Sequence, residues 1–131
     1  MSDFPADLKY TKDHEWAKVD GKKATVGITS FAVEQLGDIT LVSFDAKVGD
    51  AVTAGKAFGT IESVKTLSDL YSPFTGKVVE INANLDSHPE LVNEDCYGDG
   101  WIAVIVSDRD DEEAQLLRPM TYRKHVAERS D

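Results

Sequence analysis

Apolar positions along this chain fall in short runs broken by glycines and acidic turns. Glu15-Trp16-Ala17-Lys18-Val19 and Ala24-Thr25-Val26-Gly27-Ile28 flank Asp20-Gly21, a strong short hairpin signal. Leu8-Lys9-Tyr10 begins a strand ahead of them, and Ile39-Thr40-Leu41-Val42-Ser43-Phe44, Asp50-Ala51-Val52 and Ala57-Phe58-Gly59-Thr60-Ile61-Glu62 follow. Between these runs Ser30 is placed to cap a short helix through Leu36, and Gly37 to stop it. Many short strands with glycine punctuation predict an all-β sandwich or barrel.

The runs on either side of Lys65 repeat one pattern. Gly37-Asp38-Ile39-Thr40-Leu41, Val48-Gly49-Asp50-Ala51-Val52 and Phe58-Gly59-Thr60-Ile61 precede it. Gly76-Lys77-Val78-Val79-Glu80-Ile81, Leu91-Val92-Asn93-Glu94 and Trp101-Ile102-Ala103-Val104 follow. Each half reads strand, turn, brief strand, strand, which predicts a quasi-two-fold β-sandwich with Lys65 at one apex. The tail is expected to be helical. Asp110 with Glu113 makes a capping box, Pro119 interrupts, and a further turn or two runs through Tyr122 and Val126, an i,i+4 pair. The 131 residues therefore read as one domain, with a core over about 8–107 and a helical segment over about 110–129.

Composition narrows the class. Apolar residues are 41% and charged residues 29%, with no run long enough to span a membrane. The start, Met1-Ser2-Asp3-Phe4-Pro5-Ala6-Asp7, lacks the basic and apolar character of a secretory signal. A net charge of −10 opposes binding to phosphate backbones and anionic lipid, and suits reversible encounters with basic protein faces. The single cysteine, Cys96, allows no internal disulfide and fits a reducing compartment. It lies in a turn-like run whose acids would raise the thiol pKa, so it reads as a loop residue.

Few constellations here carry chemistry. Gly49-Asp50-Ala51-Val52-Thr53-Ala54-Gly55-Lys56 has one residue too many between its glycines for a phosphate loop, and Ala57 replaces the metal-binding hydroxyl. His14, His88 and His125 are scattered without metal-ligand spacing and read as surface residues; no metal is expected. His14-Glu15 as an acid/base pair is disfavoured because neighbours on a strand face opposite ways. That leaves Lys65. It lies between Gly59-Thr60-Ile61-Glu62 and Leu67-Ser68-Asp69-Leu70-Tyr71, and reads as the tip of a hairpin. An exposed ammonium at such a tip is reachable from many directions. A Schiff-base role would need a desolvated pocket, which the polar neighbours Glu62, Ser63, Thr66 and Ser68 argue against.

Together these residues carry a family likeness. Tyr10-Thr11-Lys12-Asp13-His14-Glu15-Trp16, Leu36-Gly37-Asp38-Ile39, Gly59-Thr60-Ile61-Glu62-Ser63-Val64-Lys65-Thr66 and Tyr97-Gly98-Asp99-Gly100-Trp101 closely resemble the H protein of the glycine cleavage system. So do Ser68-Asp69-Leu70-Tyr71-Ser72-Pro73 and Leu91-Val92-Asn93, and the likeness runs from Leu8 into the C-terminal segment. Lipoyl domains of 2-oxoacid dehydrogenases usually show Asp-Lys-Ala, and biotin carriers Met on both sides of the lysine. Val64 and Thr66 fit neither. Alanine is commoner at the Thr66 position and proline at the Cys96 position, both mild departures.

The resemblance implies a barrel-sandwich hybrid fold with lipoate in amide linkage to Lys65, and a carrier with no turnover of its own. Its arm would take the aminomethyl group from a pyridoxal-phosphate glycine decarboxylase to a tetrahydrofolate-dependent aminomethyltransferase. A dihydrolipoyl dehydrogenase would reoxidise it, and a lipoate-attaching enzyme would install it. The resemblance also implies a cleft lined by Glu15 and Asp69, where a carboxylate holds the arm's ammonium by a charge-assisted hydrogen bond. On residue types alone, two solvated surface acids are the equal alternative. Some relatives carry His where this chain has Gln35, so no docking role rests on an imidazole there. A lipoyl carrier or relay for another pathway is the alternative function. The expected setting is cytoplasmic, or the mitochondrial matrix for a mature eukaryotic form, and the expected state is monomeric.

Overall fold

The computed structural model describes residues 4–107 and 116–129. Strands β1 (Lys9–Tyr10), β2 (Glu15–Asp20), β3 (Lys23–Ile28), β5 (Ala51–Val52), β8 (Gly76–Ile81) and β9 (Ala103–Ser107) form one sheet, ordered β1-β2-β3-β9-β8-β5. Strands β4 (Ile39–Phe44), β6 (Ala57–Ser63) and β7 (Leu67–Tyr71) form the second, ordered β4-β6-β7. Every pairing is antiparallel. Ile61, Leu70, Val78, Leu85, Ile102 and Ile105 are fully buried in the main core.

The hairpin expected at Asp20-Gly21 closes one residue later, at Gly21-Lys22, because Asp20 still pairs with Lys23 and Gly21 takes the positive φ of 64. In β6, Phe58 and Ile61 both face the core although three positions apart, a spacing that strand alternation forbids. A bulge at Phe58 supplies the missing residue: Ala57 pairs with Tyr71 and Gly59 with Leu70. Gly59 permits it, because a Cβ there would collide with the Ser43 carbonyl.

The repeat around Lys65 holds for its long strands and fails for one short one. β4 pairs with β6 before the lysine, and β8 with β9 after it. Leu91–Glu94, expected as a brief strand, is instead a helical turn, α3, following another short helix, α2 (Asn84–Ser87). The Pro89 carbonyl, just ahead of the helix, accepts from Val92 N–H at 3.1 Å, the Glu90 carbonyl accepts from Glu94 N–H at 3.0 Å, and Val92 is fully buried. Helix α1 (Ser30–Leu36) is capped by Thr29 and not Ser30: the Thr29 hydroxyl accepts from Ala32 N–H at 3.3 Å. Ser30 N–H instead donates to the Tyr97 hydroxyl at 3.0 Å.

The capping box at Asp110 and Glu113 lies outside the described residues. Pro119 does not interrupt a helix; it opens one, α4 (Pro119–Arg129), as its fixed φ and missing N–H suit a first helical position. Just before it, Leu117 exchanges backbone hydrogen bonds with Tyr10 at 2.8 and 2.7 Å. Tyr122 stacks on Tyr10 at 4.7 Å and meets Phe4 edge-on at 4.7 Å, so α4 seals a second core with Trp16 and Leu8. Burial pushes the Tyr10 and Tyr122 phenols up in pKa.

Candidate functional site

Lys65 stands at the turn between β6 and β7, where sequence placed it. Ser63 N–H donates to the Thr66 carbonyl at 2.8 Å and closes the turn. The Ser63 hydroxyl accepts from Lys65 N–H at 3.2 Å and Thr66 N–H at 3.1 Å, and donates to the Thr66 carbonyl at 3.2 Å. Val64 N–H reaches the Asp38 carbonyl at 3.0 Å. The turn's backbone is therefore bonded from within and below, while Val64, Lys65 and Thr66 are exposed.

The support beneath is also fixed. Asn93 accepts from Ile39 N–H at 2.8 Å and donates to the Gly37 carbonyl at 2.9 Å, clamping the segment from α1 into β4. Gly37 has φ 78 and ψ −152, open to glycine but strained for other residues. Among the described residues no carboxylate pairs with the Lys65 ammonium. A rigid base, an exposed lysine and, among the described residues, an amine outside any ion pair fit an acyl attachment point.

Beside the hairpin lies a cleft of about 280 Å³ lined by Glu15, Asp69, His14, Gln35, Phe31 and Leu70, among others. The structure thus brings Glu15 and Asp69 to one cavity, and β7 links it to the lysine turn. The two carboxyls differ sharply. Asp69 is exposed and accepts from the Tyr71 hydroxyl at 3.4 Å, and its charge holds the Tyr71 phenol above its ordinary pKa. Glu15 is only 4% exposed. Its Oε1 accepts from the Thr11 hydroxyl at 2.8 Å and its Oε2 from Tyr71 N–H at 3.0 Å, joining β2 to β7 across the two sheets. Among the described residues it has no cationic partner. Burial pushes its carboxyl up to about 8, against the lowering effect of those two hydrogen bonds. A buried acid without a cation is a receptor for one: an ammonium placed beside it would favour the ionised form.

Two readings of single residues need correction. Strand alternation does not separate His14 from Glu15, because β2 starts at Glu15 and His14 has φ 71; both line the cleft. Nor is His14 a simple surface residue. It is half-buried, with Nδ1 2.8 Å from the Tyr122 hydroxyl, which lies 2.7 Å from Thr29 Oγ1. For Cys96, burial is the main cause that pushes the thiol up to about 11, with neighbouring Asp95 a smaller one. Sequence reasoning missed Thr11 and Gln35 as parts of the cleft's surroundings. A positive φ at a histidine leaves no mark in the sequence.

Comparison with known proteins gives a consistent result. The family model for the glycine cleavage H-protein matches residues 8–129. The chain is 51% identical over 128 residues to the glycine cleavage system H protein of Rubrobacter xylanophilus, covering 98% of each. It is 47% identical over 131 residues to that of Carboxydothermus hydrogenoformans, covering both in full at 100%. The crystal structure of a glycine cleavage system H protein from Mycobacterium marinum superposes with a TM-score of 0.82 at 36% identity, over 98% of this chain and 100% of that one. The two-sheet architecture is thus the lipoyl-domain barrel-sandwich fold.

Proposed function

The chain belongs to the glycine cleavage H-protein family, lipoyl carriers of the glycine cleavage system, and from that premise we propose that Lys65 bears the lipoyl group. In this role it moves the aminomethyl carbon of glycine from the pyridoxal-phosphate decarboxylase to the tetrahydrofolate-dependent aminomethyltransferase. A lipoate-attaching enzyme installs the group and a dihydrolipoyl dehydrogenase restores its disulfide. The observation that carries the reading is the exposed Lys65 on a turn whose backbone is held by Ser63 and Asp38.

When bound, the lipoyl group supplies a cyclic disulfide able to take up the aminomethyl carbon. The chain's own residues do the rest. Lys65 provides the amine for the amide bond. Ser63 and Asp38 hold its base, so that tethering raises the local concentration of whatever the arm carries at each partner's site. Glu15 and Asp69 offer carboxyls to an amine in the cleft. No turnover is assigned to the chain itself. The bacterial relatives and the lone Cys96 support a cytoplasmic setting.

Peptide mapping after incubation with lipoate, ATP and a lipoate-attaching enzyme tests the attachment. The lipoyl increment is expected on Lys65 alone; modification of Lys56 or Lys77 in its place overturns the assignment. Glycine-dependent carbon dioxide exchange with the decarboxylase then separates this role from a lipoyl relay to other proteins, which would leave exchange at background.

A further inference from the structure

Thr11 makes the most constrained hydroxyl contact near the cleft. Its Oγ1 accepts from Asp13 N–H at 3.2 Å and from Glu15 N–H at 3.1 Å. With both lone pairs so engaged, its one proton points to Glu15 Oε1, 2.8 Å away. The backbone repeats the constraint: Thr11 N–H donates to the Glu15 carbonyl at 2.9 Å, and His14 N–H to the Thr11 carbonyl at 3.2 Å. Thr11 cannot turn to accept from the Glu15 carboxyl without abandoning two amides. It is therefore a donor of fixed direction, and a donor favours the charged acceptor.

We propose that Thr11 is a positioning residue for the cleft: its hydroxyl aims the Glu15 carboxyl, favours its ionised form, and so sets the pH above which the cleft holds a cation. The proposal rests on the reading that Glu15 receives the arm's amine. Other groups bear on the same carboxyl. From the β1–β2 turn come Asp13 and His14, with Lys12 on a second cavity that Glu15 also lines. From β7 come Asp69 and Tyr71, and from α4 comes Tyr122 behind His14. Asp13 opposes ionisation of Glu15, and burial opposes it more; Tyr71 N–H and Thr11 favour it. Of the two donors, only Thr11 is a side chain, so it alone can be removed by substitution without breaking the strand.

Thr11 also lines that second cavity, of about 230 Å³. Valine keeps its volume and denies the space to water, whereas a smaller residue would admit a substitute donor. Thr11→Val is thus the informative change, and Thr11→Ser, which keeps the hydroxyl, its control.

The first measurement is the Glu15 carboxyl titration by carbon-13 NMR in the full, unlipoylated chain. Thr11→Val is expected to raise the midpoint by on the order of one pH unit, and Thr11→Ser to leave it at the wild-type value. The second is the rate of formaldehyde release from lipoylated, glycine-loaded protein. At about pH 7 the Thr11→Val rate should rise by the factor the midpoint shift dictates, about tenfold per unit, and the difference should close above the variant's midpoint. Near that pH the wild-type carboxyl must give up a proton to hold a cation, and the variant must do so at greater cost; above both midpoints neither does. An unmoved midpoint overturns the proposal, as does a faster release that is the same at every pH, the mark of simple loosening. A moved midpoint with unmoved release overturns the arm-holding role of Glu15 while Thr11's hold on the carboxyl stands. If Thr11→Val does not fold, Thr11→Ile, which also lacks the hydroxyl and denies the space to water, takes its place with the same outcomes.

Discussion

The stem of Lys65 lies against the backbone of Gly37: a Cβ placed on Gly37 would stand 3.3 Å from Lys65 Cε and 3.6 Å from Cδ. The absence of a side chain at the end of α1 thus gives the lysine a flat support. Gly37→Ala meets two costs. The stem is flexible and yields by a few tenths of an ångström, but φ 78 with ψ −152 does not suit a Cβ. Backbone strain of about 1–3 kcal/mol therefore dominates. Urea unfolding should show a loss of that size with Lys65 still open to acylation; a variant as stable as wild type would mean that the turn has another route.

Ser63→Ala tests the turn itself. It removes the acceptor for Lys65 and Thr66 N–H but leaves the Ser63 N–H to Thr66 carbonyl bond. Both orphaned amides lie at an exposed tip where water replaces the hydroxyl, so the cost in stability should be about 1 kcal/mol or less. The effect should appear as mobility: faster amide exchange at Lys65 and Thr66, and slower acylation, because the attaching enzyme must then order the turn. Unchanged exchange at those two amides would show that the hydroxyl is dispensable.

The parts of this fold legible in the sequence are those fixed by local patterns. The Asp20-Gly21 hairpin, the lysine turn and the long strands follow from apolar runs and turn residues, whereas the bulge at Phe58, which breaks the alternation of β6, does not. What was not legible depended on tertiary contact. Leu91-Val92 has strand-forming residues but no ladder partner among the described strands, so the Pro89 carbonyl, accepting from Val92 N–H, and the burial of Val92 hold it helical. Thr29 and Ser30 are equal caps by type; Tyr97 decides between them by engaging Ser30. In the site, Glu15 and Asp69 were legible as carboxyls of one cleft only through family likeness. That one would be buried and bonded by Thr11 and the Tyr71 N–H, and the other exposed, depends on contacts distant in sequence, which no local spacing predicts.

Lys65→Arg separates fold from attachment. Arginine keeps a cation and an aliphatic stem at an exposed position, so stability should change by no more than about half a kcal/mol. Its guanidinium does not form the amide, so lipoylation and glycine-dependent carbon dioxide exchange should both vanish. Exchange that survives would show that the working arm is elsewhere.

Stability should carry the signature of Glu15. Its carboxyl is raised from 4.5 to about 8 in the native protein, so between those values the native state holds a proton that the unfolded chain has lost. Native stability should therefore fall as pH rises through that window, by up to about 1.4 kcal/mol per unit, and level off above it. Glu15→Gln has no such proton and should lack this slope. Denaturant unfolding at about pH 5, 7 and 9 reads the difference. A wild-type advantage over Glu15→Gln that grows with pH would mean that Glu15 is ionised in the native state and the assigned direction is wrong.

Glu15 and Asp69 should contribute unequally to holding an amine in the cleft. A charge-assisted hydrogen bond shielded from water contributes on the order of 1.5–3 kcal/mol, whereas an exposed ion pair contributes about 0–1 kcal/mol. Glu15 is buried and bonded at both oxygens, so it belongs with the first; exposed Asp69 belongs with the second. When a loaded aminomethyl group hydrolyses, water attacks the methylene carbon, the carbon–sulfur and carbon–nitrogen bonds break, and thiol, formaldehyde and ammonium result. Holding the amine in the cleft slows this by keeping the carbon from bulk water. At about pH 8.5, where Glu15 is mostly ionised, Glu15→Gln should release formaldehyde some tenfold to a hundredfold faster than wild type. Asp69→Asn should do so less than about fivefold, and lipoylation of both variants should proceed normally. If the two substitutions have equal effects, burial does not set the strength of the contact. If neither has any, the arm does not rest in this cleft.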